Sequence, residues 1–169
     1  MCVSISVALF GCTDKVDSNA IIIEPINSQK KSVTNSTMNN DVVWAVNVGG
    51  TKYVGVDGIV YQEDSPLISG TVGSIEKIKG SQDSFIYQSF RSGDVAINYP
   101  IENGVYDIIF KFAEPVDSPV GTRVFDVIAE KKLVIDELDV RLARDGKHIS
   151  GLARAVYNVE VSDSQLDIS

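Results

Sequence analysis

The sequence predicts an all-β, antiparallel two-layer sandwich of jelly-roll type, on three observations. Apolar residues alternate with polar ones through several short segments, the period of a half-buried strand. Gly, Pro, Asn and Asp punctuate those segments at roughly ten-residue spacing, as in antiparallel sandwiches. No stretch sustains a 3.6-residue period. With 169 residues, 44% hydrophobic and 22% charged, the chain can fill one core and is too short for two. Its 23 acidic and 15 basic residues leave a net charge of -8. A phosphate backbone is repelled by such a surface unless cations cluster, and no cluster of Lys and Arg occurs, so nucleic acid is not an expected partner.

Both cysteines, Cys2 and Cys12, precede the expected domain. Val3 to Phe10 is an apolar run too brief to span a bilayer and reads as the end of a secretion signal. Leu9-Phe10-Gly11-Cys12 resembles the bacterial lipobox, which implies lipidation of Cys12, a membrane anchor, and residence in the bacterial cell envelope. Residues 1–12 are therefore expected to be a signal remnant, and 13–40, rich in Ser, Asn, Thr and Lys, a polar flexible linker. Ile21-Ile22-Ile23 could form a short docking strand, which Pro25 would end.

The sandwich is expected over 41–169. Val42, Trp44, Val46 and Val48 alternate with Val43 and Ala45, so the first strand is apolar on both faces and should be deeply buried. Asp57-Gly58 is a hairpin turn signal, flanked by Tyr53 and Tyr61. Residues 65–83 read as a long loop with a short strand near 73–78. Phe85 to Arg91 and Val95 to Ile101 read as strands around Ser92-Gly93-Asp94. Tyr106, Ile108, Phe110 and Phe112 alternate, as do Phe125, Val127 and Ala129, and the connection from Glu114 to Gly121 is rich in turn formers. This pair predicts a long antiparallel hairpin. Leu133 to Leu142 adds a strand broken near Asp136-Glu137, and Asp145-Gly146 a turn. Ala153, Ala155, Tyr157, Val159 and Val161 alternate again. Leu166 to Ser169 opens a strand, so the chain is expected to stop short of its last strand.

Little in the domain points to catalysis. His148 is the only histidine, beside a turn, and reads as a surface residue. Zinc sites and Cys/His nucleophile machinery need partners the domain lacks. No G-x-S-x-G elbow occurs. Paired carboxylates could serve a hydrolase or lyase, but spacing along strands does not identify a pair. Asp57, Asp64, Glu114 and Asp117 lie at turns and loop ends, where calcium ligands and solvated acids both occur. None fits an EF-hand loop, so no cofactor is expected and structural calcium is not indicated. The more informative groups are Tyr53, Tyr61, Phe90 and Arg91 on connections. A sugar presents an apolar C–H face ringed by hydroxyls, which an aromatic ring and planar polar groups can meet, with Asp57 as a hydroxyl acceptor. Tyr87 and Tyr99 are expected to pack inside.

Several segments together resemble the malectin domain: Val43-Trp-Ala-Val-Asn-Val-Gly-Gly50, Asp57-Gly-Ile-Val-Tyr-Gln-Glu-Asp64, Ile86-Tyr-Gln-Ser89, Asn103-Gly-Val-Tyr-Asp-Ile-Ile-Phe-Lys-Phe-Ala-Glu114, Arg123-Val-Phe-Asp-Val127 and Leu138-Asp-Val140. They follow the family's order from Val42 to the end. The resemblance implies a galactose-binding-like sandwich that is a non-catalytic carbohydrate-binding module. In bacteria such modules sit beside polysaccharide-degrading enzymes, so a glycoside hydrolase or lyase domain would follow Ser169. The family's site aromatics fall here on Ser92 and on Val116-Asp117, none matches between Thr71 and Gly80, and its acidic ligand would lie beyond Ser169. The alternative is a structural or protein-interaction sandwich that has lost its sugar site.

Overall fold

The computed structural model describes residues 2, 3, 6–11, 42–147 and 149–169. Its strands are β1 (Cys2–Val3), β2 (Ser6–Gly11), β3 (Val42–Asn47), β4 (Tyr53–Val54), β5 (Val60–Tyr61), β6 (Thr71–Ser74), β7 (Ser89–Ser92), β8 (Ile97–Pro100), β9 (Gly104–Glu114), β10 (Phe125–Ala129), β11 (Lys132–Leu138), β12 (Ser150–Val161) and β13 (Gln165–Ile168). Two four-stranded antiparallel sheets, ordered β12-β9-β2-β3 and β11-β10-β13-β8, form the sandwich. Trp44, Val46, Ile108, Phe110 and Phe112 from the first meet Ile97, Val127, Leu138, Leu166 and Ile168 from the second. This layer is the main core.

A second, smaller layer explains why β3 is apolar on both faces. Ala45 and Ala113 point away from the main core and pack with Tyr61, Ile78, Ile86 and Tyr87. The hairpin β4-β5 and a 3₁₀ turn over Phe85–Tyr87 supply that cover. The hairpin closes through Asp57-Gly58, with Gly58 at φ +79°, a conformation glycine adopts at little steric cost. Beyond its pairing with β2, β3 meets Gln62 in a parallel bridge, so its outer edge is also capped.

Three expectations are corrected. The segments 106–112 and 125–129 do not pair with each other: β9 pairs β12 and β2, whereas β10 pairs β11 and β13. The connection between them crosses from one sheet to the other, and Phe112 meets Phe125 edge to face, 5.5 Å between centroids, across the core. Phe85 to Arg91 is not one strand, because Phe85–Tyr87 coils into a 3₁₀ turn before β7 begins. The alternation of β12 slips at a bulge between Val156 and Val159, where Asn158 has φ +58°. Leu152 faces the core before the slip and Val159 and Val161 after it, leaving Ala153, Ala155 and Tyr157 exposed. Ser6–Gly11, within the expected signal remnant, lies inside a sheet between β3 and β9, with Leu9 fully buried. Cys12, the 13–40 linker with Ile21 to Ile23, and His148 lie outside the described residues.

The crossing connection is pinned by Asp139, which is buried. Its carboxylate accepts the Gly121 N–H at 2.6 Å and the Leu142 N–H at 2.9 Å. Burial pushes its pKa up, but the N–H groups of Leu142, Gly121 and Arg141 and the Arg141 charge outweigh that, holding it below the ordinary 3.8. A depressed folded value adds stability above the unfolded pKa that is lost as pH falls through the folded one. Asp139→Asn is therefore expected to lower Tm at neutral pH, with the gap to the native chain closing below pH 3.8. Melting curves across a pH series check this.

Candidate functional site

The loops joining β3, β4, β5 and β7 gather the residues that sequence reasoning singled out. Two of them are sealed. Tyr61 is 0% exposed and Phe90 is 7% exposed. Tyr61 fills the smaller core layer, and Phe90 stands over Gly73, where a Cβ would come within 2.5 Å of its ring. Neither can lay a face against a sugar, and the expectation that they do is corrected: each closes a loop onto the sheet, and that burial excludes solvent and ligand alike.

Arg91 is committed inward. Its Nη2 lies 2.6 Å from Asp64 Oδ2, its Nε reaches both Asp64 oxygens, and its Nη1 donates to the Gly70 carbonyl at 2.9 Å. Asp57 is engaged too. It accepts the Ile59 N–H at 3.0 Å, the Tyr61 hydroxyl at 3.0 Å and the Lys111 ammonium at 3.2 Å. Burial raises the Asp57 pKa, yet the Ile59 N–H and Lys111 more than offset it, and the net shift is downward. Burial and the Asp57 charge push the Tyr61 phenol far above its ordinary value, so it remains a hydroxyl donor at physiological pH. The set holds the hairpin to β9 and offers no free base or nucleophile.

The four turn acids share this fate. Asp57 meets Lys111, Asp64 meets Arg91, Glu114 meets Arg123 at 2.9 Å, and Asp117 meets Arg141 at 2.7 Å. Each has a protein cation beside it, with Glu114 buried and Asp117 still largely exposed. Among the described residues no three His, Cys, Asp or Glu side chains converge to hold a metal ion.

Tyr53 stands apart from the sealed pair. It is half-buried, its hydroxyl donates to Asp83 Oδ1 at 2.8 Å, and its ring lies 4.5 Å from that of Phe85. The hydrogen bond to Asp83, with burial, raises its pKa. Phe85 is 44% exposed and forms the wall of a shallow hollow with Asn47, Thr51, Ser74, Gln88 and Ser89. Asn47 is buried at its base, donating from Nδ2 to the Thr51 carbonyl at 2.8 Å and accepting the Ser89 hydroxyl at 2.8 Å. An open aromatic wall beside amides and hydroxyls suits a polyhydroxylated ring. Sequence reasoning missed Phe85, Asn47 and Gln88. The available signal was the contiguous apolar run Phe85-Ile86-Tyr87, which a one-sided strand cannot bury and a 3₁₀ turn splits, two inward and one out. A second groove, at the end of β13, is lined by Val95, Ile97, Phe125, Val127 and Ile168. Most of its wall is hydrocarbon, and Asp94, Asp126 and Ser169 add carboxylate and hydroxyl groups to the lining.

A family model described as the malectin domain matches residues 42–169. Malectin-A of Xenopus laevis is 34% identical over 116 residues, 62% of this chain and 41% of that protein. Malectin of Homo sapiens is 33% identical over 110 residues, 59% of this chain and 37% of that one. The chain thus spans about two fifths of the length of the curated relatives it matches. Among solved structures, Bacteroides uniformis β-glucuronidase superposes with a TM-score of 0.62 at 19% identity, over 74% of this chain and 16% of that one, a likeness of fold.

Proposed function

The chain belongs to the malectin domain family, and from that premise we propose that it is a non-catalytic carbohydrate-binding module whose sugar contact is the Phe85 hollow. The observation that carries this reading is the exposed Phe85 ring, backed by Tyr53 and set beside the Thr51, Ser74 and Gln88 polar groups. Ring-on-sugar contact supplies the apolar part of recognition, and the amides and hydroxyls the directional part. A shallow site of this kind binds in the micromolar to millimolar range, about -4 to -8 kcal/mol. Affinity electrophoresis through laminarin, agarose and starch is the test. Retardation by at least one glycan is expected, with Phe85→Ala weakening it about tenfold, equal to about 1.4 kcal/mol, while Tm stays nearly unchanged. Absence of retardation on every glycan would leave the second reading, a structural or protein-interaction sandwich, which the burial of Tyr61 and Phe90 favours.

The Leu9-Phe10-Gly11-Cys12 motif supports a bacterial envelope lipoprotein anchored through Cys12. Incorporation of a clickable fatty acid, abolished by Cys12→Ala, is its expected signature. An accessory role beside a polysaccharide-degrading enzyme is in keeping with the recurrence of this sandwich as a small part of a glycosidase chain. Cleavage ahead of Cys12 would also remove β2 from the sheet.

A further inference from the structure

The strand β2 is held by hydrogen-bonded ladders on both sides. Ser6 to Gly11 runs opposite Lys111 to Tyr106 of β9, and Ser6 to Phe10 opposite Asn47 to Val42 of β3. Leu9 is fully buried, paired with Trp44 on one side and Ile108 on the other. Without β2, two long strands would present unpaired backbone to each other across a strand-wide gap, and Trp44 and Ile108 would lose their cover. Antiparallel neighbours can be joined by a two-residue turn, yet residues 12–41 intervene between β2 and β3. A flexible connection of that length would keep the strand near its slot only at an effective concentration of millimolar order or less. The ladders and the buried Leu9 are the contacts among the described residues that hold β2 in place.

We propose that the gap between β3 and β9 is a strand-acceptor site, whose ligand is the extended segment Ser6–Gly11 and which accepts that segment supplied in trans. The register is set by Leu9, because a one-residue slip would turn it out of the core and bring a neighbour in. The inference is independent of the sugar reading. It meets the lipoprotein reading at Cys12, since processing there would empty the slot.

The test uses the full chain with a site-specific protease sequence inserted within residues 13–40. Trp44 is the only tryptophan and reports on the slot by its emission. After cutting, the N-terminal fragment is expected to co-elute with the sandwich on gel filtration. Excess peptide spanning Cys2 to Gly11 should displace it, while the same peptide carrying Leu9→Asp should compete about 10- to 100-fold less well. If cutting instead releases the fragment and unfolds the remainder, recovery of native Trp44 emission by the native peptide and not by the Leu9→Asp peptide supports the acceptor site. Failure of the native peptide to restore it overturns the proposal. So does release of the fragment with no change in melting or emission, because the slot would then not need a strand.

Discussion

Tyr61→Ala is expected to destabilise the domain by about 3–5 kcal/mol, the range for deleting a large buried ring. Its phenol is sealed in the smaller core layer between the hairpin and the sheet, and its hydroxyl donates to Asp57 while accepting from Lys111. Truncation therefore opens a cavity and also leaves a carboxylate and an ammonium short of a partner. For a chain of this size the loss corresponds to roughly 6–20 °C in Tm. Tyr61→Phe keeps the ring and removes only the hydroxyl, so its cost should fall to about 1–2 kcal/mol. Calorimetry or urea denaturation of the two variants separates packing from hydrogen bonding. The same pair decides what Tyr61 is for: a sugar contact would lose binding with little change in melting, whereas the buried ring should do the reverse.

The fate of Tyr61 shows where sequence reasoning ends. Period-two patterns located the long strands, because alternation along β9 is a direct imprint of one face packed on a core. The family resemblance from Val42 onward then identified the sandwich. Alternation states which face is buried but not which strand lies alongside, so β9 and β10 read as a hairpin although they belong to opposite sheets. The connection through Pro115 and Pro119 is long enough for either outcome. The candidate site was less legible for a related reason. Tyr61 and Phe90 sit on strands too short to show a period, and their burial comes from loops that fold back over the sheet. Gly73 opposite Phe90 was the local hint, since a residue without a Cβ marks where a ring comes down. Phe85, four residues after Ser81 and in the same apolar run as Ile86 and Tyr87, is left outside only because a 3₁₀ turn rotates it away. The slip of β12 at Asn158 has the same character: a bulge moves every later side chain to the other face without marking the sequence.

Arg123→Met is expected to cost about 3–5 kcal/mol, the penalty for stranding a buried charge. Glu114 ends β9 with its side chain 4% exposed, Oε2 lying 2.9 Å from Arg123 Nε and Oε1 accepting the Val116 N–H at 2.9 Å. Arg123, at 20% side-chain exposure, retains a route to water. The reverse change, Glu114→Met, should therefore cost less, because the guanidinium left behind can turn outward while the carboxylate cannot. The double variant, with both charges replaced by side chains of similar length, removes the desolvation penalty along with the attraction and should lie nearer the native stability than Arg123→Met alone. A urea-denaturation double-mutant cycle measures the coupling. A large coupling with an asymmetric pair of single losses would mean that the pair clamps the β9 end of the crossing between the sheets. Equal single losses that simply add would mean that the crossing is held by Asp139 and its backbone donors alone.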